Sequence, residues 1–90
     1  MSVRVEFYGV PRQRTGQSSI DLPVRGSVPL GTILAQLGQM FPKLAADCLE
    51  GNRIRPGYVV NVDGNQFVLD PESLIDDNTS LLLMSADAGG

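Results

Sequence analysis

Ser27-Val28-Pro29-Leu30-Gly31-Thr32-Ile33-Leu34-Ala35-Gln36-Leu37-Gly38-Gln39-Met40-Phe41-Pro42 is the stretch on which the reading of this chain turns. Ile33, Leu34, Leu37, Met40 and Phe41 recur at the spacing of one apolar helix face. Pro29 suits a first helical turn, and Pro42 ends the helix after Phe41. Gly38 inside it costs about 1 kcal/mol relative to alanine, so packing rather than propensity must hold this helix. Just past it, residues 43–50 suit a short helical turn with Leu44, Cys48 and Leu49 inward and Gly51 as its stop.

The period on either side is different. Val3, Val5 and Phe7 alternate with Arg4, Glu6 and Tyr8, and Ile20, Leu22 and Val24 alternate with Asp21, Pro23 and Arg25. Both are period-2 patterns of half-buried strands, and the turn-rich Gly9–Gln17 between them predicts a hairpin. After the helix, Asn52–Gly57 reads as a loop. Tyr58–Val62 and Gln66–Leu69 flank Asp63-Gly64-Asn65, a tight-turn signal. Ser80–Ser85 is apolar enough to predict a last strand buried on both faces and central in its sheet. One helix between a hairpin and further strands gives a two-layer α+β domain. If the last strand joins the first in parallel, the fold is a β-grasp: a mixed sheet of four to five strands packed on one main helix.

Ninety residues allow one domain. A single cysteine, Cys48, and no histidine exclude an internal disulfide, His-based catalysis and a zinc finger. Cys48 has no base to activate it and reads as a small core hydrophobe. The longest apolar run, Leu81–Met84, is too short for a membrane span, and the N-terminus lacks a secretory apolar region. The expected setting is cytoplasmic, with no membrane partner. Residues 1–55 carry all seven bases and four acids, whereas residues 56–90 carry six acids and no base. That acidic third argues against nucleic acid as a partner. It reads either as solvated surface or as a face for a basic partner. Asp76-Asp77 reads as a turn, and Arg12 and Arg14 as solubilising charges.

Gly89-Gly90 closes the sequence. Read as structure alone, it is a frayed terminus. Read as chemistry, two residues without a Cβ can pass extended through a narrow channel and present an unhindered carboxylate for activation.

With these residues in hand, the sequence resembles the ubiquitin-like sulfur carriers of the ThiS/MoaD family over nearly its whole length. Phe7-Tyr8-Gly9 followed by Arg12 and Gly16 is similar to that family's turn after the first strand. The helix ending in Phe41-Pro42, the run Leu74-Ile75-Asp76-Asp77-Asn78 and the Gly89-Gly90 tail stand at family positions. Three departures are visible, one being a segment between the helix and the third strand that is long for the thiamin-pathway members. Asp77 stands where the family tends to have glycine, and Ser85-Ala86-Asp87-Ala88 stands where it often has a Pro-Pro-Val-Ala stretch.

The resemblance implies a β-grasp domain over residues 1–85 and a flexible tail over 86–90. It implies a non-catalytic carrier whose Gly90 carboxylate is adenylated by an E1-like enzyme of the MoeB/ThiF kind. ATP and magnesium belong to that enzyme, and no cofactor or metal is bound by the carrier itself. The adenylate then becomes a thiocarboxylate that donates sulfur in cofactor biosynthesis, as in the small subunit of molybdopterin synthase, with that synthase's large subunit as acceptor. Gly89 supplies reach, while Leu82, Met84 and Asp87 are candidate docking residues. Two alternatives stand beside it: a protein modifier joined to lysine through Gly90, and a plain β-grasp binding module.

Overall fold

The computed structural model describes residues 1–86. Strand β1 (Ser2–Phe7) leads into a one-turn helix α1 (Val10–Thr15) and returns as β2 (Ser19–Pro23). Short β3 (Ser27–Pro29) feeds the main helix α2 (Leu30–Met40), and α3 (Pro42–Cys48) follows at once. A small hairpin of β4 (Leu49–Glu50) and β5 (Arg53–Ile54) precedes β6 (Tyr58–Val62) and β7 (Gln66–Phe67). Then β8 (Leu74–Asp76) pairs with β3, and β9 (Ser80–Ser85) completes the main sheet.

That sheet has five strands in the order β2-β1-β9-β6-β7. The first and last strands lie side by side and parallel, with Val5 opposite Leu81 and Phe7 opposite Leu83, while β2 and β6 flank them antiparallel. This is the β-grasp arrangement that the sequence predicts. The core lies between its inner face and the helices, built from Val3, Val5, Phe7, Leu22, Val60, Leu81 and Leu83 against Leu30, Ile33, Leu34 and Leu37.

Magnitudes show what holds α2. Its glycines, Gly31 and Gly38, together cost about 2 kcal/mol relative to alanine. Its four buried large side chains each contribute roughly 1.5–3 kcal/mol. Packing wins, and at Gly31 it also leaves little room for a side chain. A Cβ at Gly31 would lie 2.8 Å from the Asn52 side-chain nitrogen and 3.0 Å from the Pro71 Cβ, because the helix begins against the loop that carries Pro71.

Some expectations are corrected. Met40 is 47% exposed and lies off the core face. Phe41 sits between the two helices and meets Phe7 edge-on, with ring centroids 5.9 Å apart. The supposed loop after β1 contains α1, which starts with a buried Pro11 and is closed by Gly16 at φ 70°. Arg14 in it ion-pairs with Asp47 of α3, so this arginine is structural rather than merely solubilising. The strand β9 is central, yet only Leu81, Leu83 and Ser85 are fully buried; its alternate residues are half-buried on the opposite face.

Candidate docking face and tail root

The register of the sheet decides where each candidate residue points. Directly paired residues share a face, so Leu82 lies in one outer row with Glu6, Asn61 and Phe67. Met84 pairs with Val59 in the next row. Leu82 and Met84 thus stand together on the face away from the helices, half-buried. Phe67 adds an exposed ring at the sheet edge, 66% accessible. Asn61, only 7% exposed, has a buried Oδ1 without a hydrogen-bond partner among the described residues. Neither Phe67 nor Asn61 is singled out by the sequence pattern, since only the register brings them beside Leu82. Asp87, Gly89 and Gly90 lie outside the described residues.

The end of β9 is tied down on both sides. Ser85 points inward at 8% exposure, and its Oγ accepts a long hydrogen bond of 3.4 Å from the Val10 N–H at the start of α1. A hydroxyl at this core-facing position therefore has a polar contact to make. The Ala86 N–H donates to the Gly57 carbonyl at 2.7 Å, and the Tyr8 N–H donates to the Leu83 carbonyl at 3.0 Å. Gly57 has φ 97°, a conformation that other residues rarely adopt, so the turn that receives Ala86 needs a glycine.

Beside this point opens a groove of ≈ 420 Å³ lined by Arg53, Arg55, Pro56, Val59, Leu69 and Ala86. Arg55 approaches Glu50 at 3.7 Å, and its buried Nε has no acceptor among the described residues. Beneath the groove's edge, Cys48 is fully buried. Burial pushes its thiol above the ordinary range, and the Tyr58 hydroxyl offsets only part of that rise. Burial raises Tyr58 as well. Both groups are neutral at physiological pH, so Cys48 offers no thiolate nucleophile.

The far end of β9 is acidic but internally satisfied. Asp63 Oδ1 accepts from the Ser80 N–H at 2.9 Å, and Asp77 Oδ2 accepts from the Gly26 N–H at 3.3 Å. Asp76 takes the Ser27 hydroxyl, and Asp70 takes the Glu72 N–H at 2.9 Å. These contacts favour the reading of the acidic third as surface with turn-forming roles. The left-handed residue of the 74–78 run is Asn78, at φ 64°, rather than Asp77. A missing glycine at Asp77 therefore costs the turn nothing. No group of three or more acidic, cysteine or histidine side chains is placed to hold a metal among the described residues. No helix there is long and apolar enough to cross a membrane.

No family model and no curated protein matches the chain. Solved structures do. The Haloferax volcanii HVO 2177 protein superposes with a TM-score of 0.79 at 27% identity, over 100% of this chain and 87% of that one. Small archaeal modifier protein 1 of H. volcanii gives 0.79 at 13%, over 93% of this chain and 95% of that one. A putative molybdopterin converting factor subunit 1 from Pyrococcus furiosus gives 0.74 at 14%, over 94% of this chain and 97% of that one. The chain has the ubiquitin-like β-grasp fold of the ThiS/MoaD-type proteins. In this β-grasp chain the central strand β9 leads directly to the tail root, with the outer row of Leu82 and Met84 on one side and the Arg53/Arg55 groove beside it.

Proposed function

We propose that this β-grasp protein is a cytoplasmic sulfur carrier that acts through the carboxylate of Gly90. The observation that carries the reading is the position of β9. It is hydrogen-bonded on both edges and its end is held by Ala86 on Gly57, which supports a reading in which residues 87–90, outside the described residues, carry the reacting carboxylate to a partner's cleft. The likeness to a putative molybdopterin converting factor subunit supports a role in cofactor biosynthesis.

In the proposed reaction a Gly90 carboxylate oxygen attacks the α-phosphorus of ATP on an E1-like enzyme, and pyrophosphate leaves. Magnesium and ATP belong to that enzyme. A persulfide sulfur then displaces AMP, and a thiol reduces the acyl disulfide to the thiocarboxylate. The carrier supplies no base. Its contribution is presentation: Gly89 gives reach, and Leu82, Met84 and Asp87 contribute docking surface. The sulfur acceptor we favour is an enzyme of the kind of a molybdopterin synthase large subunit.

The likeness to small archaeal modifier protein 1 favours a second use of the same adenylate, an isopeptide to a target lysine. Lys43, exposed in α3, is the chain's only lysine, so self-linked chains are restricted to that residue and the N-terminus. Intact mass of protein from its own host, with fragmentation over residues 86–90, separates the readings. Sulfur localised to Gly90 is the expected result. Attachment of the tail to lysines of other proteins would replace the carrier reading with the modifier. Deletion of Gly90 is expected to abolish activity without moving the thermal midpoint; retained activity would overturn both readings.

A further inference from the structure

We infer that the groove beside the tail root is a docking site for a protein segment that presents one apolar side chain flanked by carboxylates. The inference deepens the carrier reading and rests on it, because the partner addressed is the enzyme that receives the tail. Three observations point the same way. The floor is apolar and open: Pro56 and Leu69 line it exposed, Leu69 at 57%, together with half-buried Val59. Its rim is cationic, with Arg53 and Arg55 both on the wall. Glu50 engages Arg55 only at 3.7 Å, while the buried Arg55 Nε donor has no acceptor among the described residues, so the guanidinium has unused capacity for a carboxylate there.

No acid is among the described residues that line the groove, and the Glu50 contact to Arg55 leaves Arg53 without a carboxylate in ion-pair reach among the described residues. The chain carries a net charge of −3, which makes this cationic rim the opposite of the molecule as a whole. A partner that reads it gains orientation and encounter rate from its own carboxylates, while the apolar seat fixes position. The groove also adjoins Ala86, so a segment seated there stands at the point where the tail leaves the body.

The test uses the full chain, isotopically labelled, titrated with the capped peptide Asp-Leu-Glu-Asp and separately with Lys-Leu-Lys-Lys. Amide shifts confined to residues 53–59, 69 and 86, for the acidic peptide alone and diminishing with salt, are the expected outcome. Arg53→Glu, at an exposed position, should weaken binding by roughly fivefold or more. Leu69→Ser should weaken it without changing the salt dependence. Both variants should keep the parent spectrum elsewhere. No shifts at the groove, equal shifts with the basic peptide, or full binding by Arg53→Glu would each overturn the inference. These outcomes are independent of sulfur on Gly90, so failure here and failure of the carrier reading are separately visible.

Discussion

The two ends of β9 are built on opposite plans. At Ser80 the strand starts among acids whose oxygens are turned onto neighbouring backbone and hydroxyl groups. Asp63 both donates its N–H to the Ser80 carbonyl, at 2.8 Å, and accepts the Ser80 N–H. At Ser85 the strand ends beside exposed apolar side chains and two arginines, with a single long side-chain hydrogen bond. Charge at the first end is used to close the fold on itself; charge at the second faces outward. The difference teaches that a strongly acidic segment need not be a binding surface, and that the side chains free to meet a partner lie where the composition is least extreme.

This contrast can be broken most directly at the closed end. Asp63→Ala removes the acceptor of the Ser80 N–H and puts a Cβ-bearing residue that lacks a local hydrogen bond at φ 54°. The expected cost is about 2 kcal/mol. Asp63→Gly keeps the loss of the acceptor while relieving the backbone, so urea unfolding of the pair separates the two contributions. If Asp63→Ala is as stable as the parent, the acidic end is not closed by this residue.

A smaller effect is expected at the open end. Ser85→Ala removes only a 3.4 Å hydrogen bond and leaves a methyl in a core-facing position, so its cost should stay within about 0.5 kcal/mol. A loss as large as that of Asp63→Ala would erase the asymmetry between the two ends.

The smallest effect concerns pH at the open end, where Tyr58 pairs with Ser85 over buried Cys48. Both groups have raised values in the folded protein. Below the unfolded thiol value of 9.0 each is protonated in both states and the shift contributes nothing. As pH rises past it, the unfolded chain gives up protons that the folded protein retains, so stability falls. Urea midpoints measured on either side of that value should show the fall, and Cys48→Ala should flatten it. The same slope in both proteins would assign the alkaline loss elsewhere. Cys48→Ser is expected to leave carrier activity unchanged in the folded protein.

Much of this architecture is legible along the chain. The helix face at Ile33, Leu34 and Leu37, the alternation of β1 and β2, and the Asp63-Gly64 turn are local patterns with local causes. Both Asp63 and Gly64 take positive φ, 54° and 74°, as a tight hairpin turn requires. Helix α1 escapes such a reading because one turn carries no apolar period. Its signals are present nonetheless, with proline at the start and left-handed Gly16 at the end. The ladder β3–β8 is three residues long and stands on long-range pairing that no local pattern encodes, whereas the β4–β5 hairpin is local but has only two residues per strand, too few for an alternation to show. Leu81–Met84 suggests burial on both faces, because an unbroken apolar run does not say which members the helices cover.

The sequence by itself determined the elements with strong periodicity, the absence of histidine and disulfide chemistry, and the candidate tail Gly89-Gly90. Those follow from residue type and short-range spacing. Only the tertiary structure decided that Leu82 and Met84 stand on the outer face and that Arg53 and Arg55 rim a groove beside Ala86. It also decided that the acids near Ser80 are spent on the fold. Faces follow from register, and register is fixed by strands far apart in the chain, where a slip of one residue would exchange every inward side chain for an outward one.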